Sequence, residues 1–205
     1  MEPRDLDVRP KTLVANILDA IKREDFQSIT ELVGRNPDQL HYTPFGFQTW
    51  LGYAAGHSSL AVVEHLLSLG FDVNEGDPRE NVKPLCCACF NGQLAVAELL
   101  LKAGAVMDTA TSVQNPMFAA VVGRSPQIVR LVLQGGIDPT VRYNSTTMNE
   151  MDAVAFSLMQ GEAECARIIA TWISSGDEAT ANAALERALW IAKKNAYRPV
   201  PSDET

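Results

Sequence analysis

Three histidines, His41, His57 and His65, and four cysteines are the side chains in this 205-residue chain most suited to acid–base, nucleophilic or metal chemistry. An imidazole titrates near neutral pH, and a thiolate is both a nucleophile and a zinc ligand. Their spacing does not assemble such a site. His57 and His65 fall in two successive predicted helices, with no Ser or Cys partner at a recognised distance. Three of the cysteines form Cys86-Cys87-x-Cys89, where adjacent positions of one predicted helix point in different directions. A zinc site needs a second pair of ligands at short spacing, and Cys165 is far along the chain. The cluster reads as reduced, small and polarizable core packing. Gly135-Gly136 has no Lys-Ser or Lys-Thr after it and reads as a helix exit, not a phosphate cradle. The expectation is a protein without catalytic residues, metal or cofactor.

The elements that would position these residues are written twice. TWLGYAAGHSSLAVVEHLLSLGFDVN starts at Thr49 and KPLCCACFNGQLAVAELLLKAGAVMD at Lys83, 34 positions later. Leu51/Leu85, Ala54/Ala88, Leu60/Leu94, Val62/Val96, Leu66/Leu100 and Gly70/Gly104 are in register. In residues 60–69 the apolar positions 60, 62, 63, 66, 67 and 69 follow helical spacing and give a wide stripe that must be covered. Ala54, Ala55, Ala88 and Cys89 allow neighbouring helices to approach closely. Gly70, Gly104 and Gly136 suit the left-handed residue that ends a helix. One helix pair cannot hide such faces, whereas three or more stacked pairs can.

The repeat resembles the ankyrin family. Its pattern of a Thr-Pro-Leu-His helix start, a small-residue pair, Val-Val and Leu-Leu in the second helix and a closing Gly-Ala-Asp-Val-Asn is matched by Thr49, Leu51, Ala54, Ala55, Val62, Val63, Leu66, Leu67, Gly70, Asp72, Val73 and Asn74. It is matched again by Pro84, Leu85, Ala88, Gly92, Leu94, Val96, Leu99 to Leu101, Gly104 and Ala105. A third copy starts near Asn115-Pro116, and a weaker fourth runs from about Asp152 to Ile169. The resemblance implies an all-α ankyrin-repeat solenoid of about five helix-turn-helix units with capping N- and C-terminal helices. The expected divisions are a flexible stretch 1–10, a capping repeat 11–40, repeats at 41–75, 76–110, 111–143 and 144–173, a capping helix 174–197 and a flexible tail 198–205. Leu13, Ile17, Ala20, Ile21, Phe26, Ile29, Leu32 and Val33 supply the first cap; Ala181, Leu185, Ala188, Leu189 and Ala192 share the buried face of the last. The chain departs from the pattern at the helix-start His, whose places hold Gly52, Cys86, Phe118 and Ala155. Without the hydrogen bonds that this His makes between fingers, an irregular array with broad melting is expected.

Formal net charge is −8, and residues 1–82 carry 13 acids against 7 bases. The finger with Asp72, Glu75, Asp77 and Glu80 would repel phosphate backbones and attract a basic partner, although acidity also simply keeps a protein soluble. Nucleic acid is therefore disfavoured. No run of 18 apolar residues marks a membrane span, and no signal peptide is evident, so a cytoplasmic address is expected.

A repeat array works by presenting a surface. The resemblance places variable contact positions at the ends of the inner helices and in the fingers. Phe90, Val122 and Met159 recur at the helix ends, beside His57 and Asn91; the fingers offer Phe45, Phe47, Gln48, Arg79, Glu80, Arg142 and Tyr143, with types enriched at interface hot spots. A C-terminal helix folded back over the groove would bury that row. Trp50, in place of the family's Pro, reads as a packing residue. The 37-position interval from Asn115 to Asp152 places an insertion at RYNSTTMNEM, either a functional finger or a disordered one. The implied activity is non-catalytic binding of one protein, as a monomer or in a one-to-one complex. Such a chain would inhibit or shield its partner, as a toxin-immunity protein does, or serve as a scaffold, chaperone or regulatory subunit.

Overall fold

The computed structural model describes residues 9–44 and 48–196, so Phe45 and Phe47 lie outside the described residues. Eleven α-helices form five pairs and a final single helix: α1 (Arg9–Arg23) with α2 (Phe26–Arg35), α3 (Trp50–His57) with α4 (Leu60–Ser68), α5 (Pro84–Phe90) with α6 (Leu94–Lys102), α7 (Pro116–Val122) with α8 (Pro126–Gln134), α9 (Ala153–Met159) with α10 (Ala163–Ile173), and α11 (Glu178–Ala196). A 3-10 turn at Pro37–His41 follows α2. No strand occurs among the described residues. The expected flexible ends fall largely outside them, although α1 already begins at Arg9.

The helices stack in two layers. α3 packs on α5, α5 on α7, α7 on α9 and α9 on α11, while α4 packs on α6, α6 on α8 and α8 on α10. Small residues set the first layer: Ala54, Ala55, Ala88 and Cys89 are completely buried between neighbours. Caps fix the helix starts, with Thr49 accepting from the Gly52 amide at 3.0 Å, Asp152 from Ala155 at 2.9 Å and Asn115 from Met117 at 2.8 Å. Gly70, Gly104 and Gly136 end the second-layer helices with φ of 94°, 92° and 90°, the left-handed exits expected of them.

The fingers are joined despite the missing His. The Asn74 amide bridges to the next turn, donating to the Gly104 carbonyl at 3.0 Å and accepting from the Val106 amide at 2.8 Å. Lys83 pairs with Asp108 at 2.9 Å, and Gln114 donates to the Glu80 carbonyl at 2.5 Å. At two former His places, the Cys86 thiol reaches the Gln114 carbonyl at 2.9 Å and Phe118 stacks on Phe156 at 4.3 Å. Other side chains thus join the fingers where the family's His is absent.

One further expectation is corrected at the C-terminal end, and one open alternative is narrowed. α11 buries Ala181, Ala188, Ile191, Ala192 and Asn195, whereas Leu189 is exposed, because the helix is rotated toward Ile191 and Asn195 to meet both α9 and α10. The insertion folds into a small hairpin: Tyr143 and Met151 exchange backbone hydrogen bonds of 2.9 and 3.1 Å, and the completely buried Met151 anchors it. Trp50 is completely buried, with its indole N–H on Gln39 at 3.3 Å, a packing residue as its sequence context indicates.

Candidate protein-binding surface

The candidate contacts divide between the two ends of the first-layer helices. α5 is 7 residues long, so its ends are about 10 Å apart at the usual helical rise. At the C-terminal ends lies a row. Phe90, the last residue of α5, is 55% exposed, and Val122, the last of α7, is 38% exposed. These ends abut: a Cβ built on Gly123 would stand 2.8 Å from the Phe90 carbonyl oxygen, and one on Gly56 would stand 2.7 Å from the Asn91 side-chain nitrogen. His57 is exposed at the next position of the row, its ring 5.1 Å from Tyr53. The exposed Asn91 ties its amide to the Cys87 carbonyl at 2.9 Å. Met159 does not continue the apolar stripe as expected. It is half-buried against the core, and α11, packed beside α9, narrows that end of the row. α11 sits on α9 and α10 and so extends the stack at its end.

The finger candidates occupy the N-terminal ends. Arg79 and Glu80 are exposed at a turn organised by Asp77, whose buried carboxylate accepts from the Arg79, Glu80 and Val82 amides at 2.8, 3.0 and 2.8 Å. Asp77 therefore adds less to the acidic surface than its sequence position implies. Gln48 is half-buried, with its amide 3.8 Å from the Cys87 sulfur. Arg142 is exposed and pairs with Glu150 at 3.2 Å. Tyr143 is half-buried and also serves the framework: its hydroxyl donates to the Thr109 carbonyl at 2.8 Å and accepts from Asn115 at 2.9 Å, its ring meets Phe118 edge-on at 5.1 Å, and burial raises its hydroxyl pKa.

His41, His65 and the cysteines make contacts within the framework. His65 Nε2 lies 3.1 Å from the Phe26 carbonyl and 2.9 Å from the Thr30 hydroxyl, joining α4 to α2; His41 Nδ1 lies 3.0 Å from Glu75. All four cysteines are free and buried. Burial pushes Cys87 and Cys165 up to about 11 and Cys86 and Cys89 higher still, so these sulfurs are thiols at neutral pH. Among the described residues no group of three or more His, Cys, Asp or Glu could hold a metal ion, and no helix is long and apolar enough to cross a membrane. What the sequence periodicity gives no sign of is an open hollow between the second-layer helices α8 and α10, lined in part by Arg130, Arg167 and Trp172.

Helix pairs stacked in two layers, capped by fingers and turned by left-handed glycines, define a repeat solenoid that presents an extended surface. The chain belongs to the ankyrin-repeat family: the family model for ankyrin repeats in three copies matches residues 17–111 and 51–143. Ankyrin repeats are protein–protein interaction modules and are generally non-catalytic. The E3 ubiquitin-protein ligase Ufd4 of Drosophila melanogaster is 32% identical to this chain over 92 residues, which is 45% of this chain and 3% of the ligase.

Proposed function

We propose that the chain acts without catalysis, holding one partner protein against the row that Phe90 and Val122 form at the ends of α5 and α7. The observation that carries this reading is their exposure: two large apolar side chains stand in water on abutting helix ends, in a family whose repeats bind proteins. His57 and Asn91 border the row with polar groups, and Arg79, Glu80 and Arg142 form a second set of contacts at the opposite, finger ends of the helices, where the exposed acids favour a partner with a basic surface. Bound across such a row, the partner loses access to the surface it presents, which supports inhibition or shielding as the outcome. The mode fits a toxin-immunity or other antagonist protein acting one-to-one in the cytoplasm. A second reading, a scaffold, chaperone or regulatory subunit of a larger complex, draws on the similarity to a short part of a much longer ligase.

The test is affinity capture from native lysate with the wild-type chain beside Phe90→Glu/Val122→Glu. Both positions are exposed, so circular dichroism should show an unchanged fold. The expected outcome is one prey held by wild type and lost by more than tenfold in the variant, as for loss of central apolar anchors. Equal retention by both proteins sinks the assignment to this row. Loss of the prey's own activity on binding marks an antagonist; stable co-assembly with activity retained marks a subunit.

A further inference from the structure

On the second layer, away from the row, α8 and α10 leave an open hollow of about 830 Å³. Arg130 and Arg167 stand at the same offset from the starts of their helices, Pro126 and Ala163, so the two packed helices bring two cations to matching positions on either side of it. Like charges on neighbouring helices repel unless an anion lies between them. Among the described residues neither guanidinium makes an ion pair or a side-chain hydrogen bond, and the one acid lining the hollow, Glu164, is paired with neither. Two arginines against one acid give the hollow a positive balance in a chain whose net charge is −8. At the other end the lining turns apolar, with Ile168 on the floor and Trp172 48% exposed.

We propose that this hollow binds an acidic, partly apolar peptide segment of a partner protein, its carboxylates meeting Arg130 and Arg167 and its apolar side chain lying against Trp172 and Ile168. A guanidinium fork matches a carboxylate in two hydrogen bonds, and an indole gives a large rigid apolar face at low entropic cost. Gln134 supplies an amide for the peptide backbone. The site is independent of the Phe90–Val122 row, so the module has two faces: one apolar, and one selective for acids.

The probe is a fluorescein-labelled peptide, Gly-Asp-Leu-Glu-Phe-Asp-Gly, followed by fluorescence anisotropy. One companion carries Asn and Gln for the acids, a second carries Ser for Leu and Phe, and a third carries phosphoserine for the central Glu. The expected result is binding of the first peptide, weakened about tenfold or more in the amide and Ser companions, by Arg130→Gln/Arg167→Gln and by Trp172→Ser, and weakened by added salt. Phe90→Glu/Val122→Glu should bind the probe as wild type does, which separates this site from the row. No binding, equal binding of the amide companion, or an unaffected arginine variant overturns the proposal; tighter binding of the phosphoserine peptide overturns the carboxylate assignment.

Discussion

Gly123 shows how tightly the first layer is closed at the binding row. A Cβ there would stand 2.3 Å from the Cys89 carbonyl oxygen and 2.8 Å from that of Phe90, both backbone atoms that cannot swing aside. Its φ of −69° is open to any residue, so the demand for glycine is one of space alone. Gly104 is the converse: φ is 92° and nothing lies within 4 Å of its Cβ, so the demand is conformational alone. Gly123→Ala should destabilise the fold by about 1–3 kcal/mol through overpacking and push α5 and α7 apart beneath Phe90. Gly104→Ala should cost about 1–2 kcal/mol through the left-handed backbone and leave the row untouched. Urea midpoints measure the first effect and prey binding the second; a Gly123→Ala protein as stable as wild type would show that the helix ends do not abut.

At the scale of the elements, helices and turns were legible in the sequence because their determinants are local. The 3.6-residue stripe at 60–69 and the exits at Gly70, Gly104 and Gly136 lie where periodicity and backbone chemistry place them. The fingers were not legible, because they are joined by side chains that reach distant backbone groups: Asn74 to Gly104 and Val106, Gln114 to Glu80, Tyr143 to Thr109. Residue type made Tyr143 a contact and the helix-end position implied by the resemblance made Met159 an exposed one; in the fold the Tyr143 ring meets Phe118 and Met159 is half-buried against the core. Lys83 and Asp108 make the finger bond that titrates. The Lys83 hydrogen bond, with the Ala110 amide next, holds the Asp108 carboxyl below the usual carboxylate range. Its folded pKa is lower than its unfolded one, so the pair's contribution is complete above the unfolded value and is lost as pH falls through the folded one. Lys83→Met should therefore cost up to about 1 kcal/mol near neutral pH, a difference that vanishes in acid. A wild-type and variant gap that stays constant from pH 7 to strong acid, measured by denaturation at each pH, would remove the ion pair as its cause.

For the whole molecule, a stack whose units touch only their neighbours transmits a defect no further than the next unit or two. α11 tests this, since it packs at the end of the array and its polar ties run back to the last finger and to the cap of α9. The buried Asn195 accepts from the Asn149 amide at 2.7 Å and donates to the Asn149 carbonyl at 3.1 Å, so a helix of the stack's end holds the hairpin of the last finger. Arg187 adds an ion pair to Asp152, the cap of α9, at 3.4 Å. Asn195→Ala leaves both Asn149 groups without these partners and should cost about 1–3 kcal/mol, the penalty of stranded polar groups. The loss should appear as faster amide exchange in α11, in residues 143–151 and at the start of α9, while α3 to α6 keep their protection. Trp190 cannot report it, being 63% exposed before any unfolding, whereas completely buried Trp50 reports the other end. Local fraying at α11 with Trp50 emission unchanged follows from nearest-neighbour stacking. Simultaneous loss of protection from α3 to α11 would instead make the chain one cooperative body, in which a partner bound at the Phe90–Val122 row stabilises the hairpin at the far end as strongly as the helices it touches.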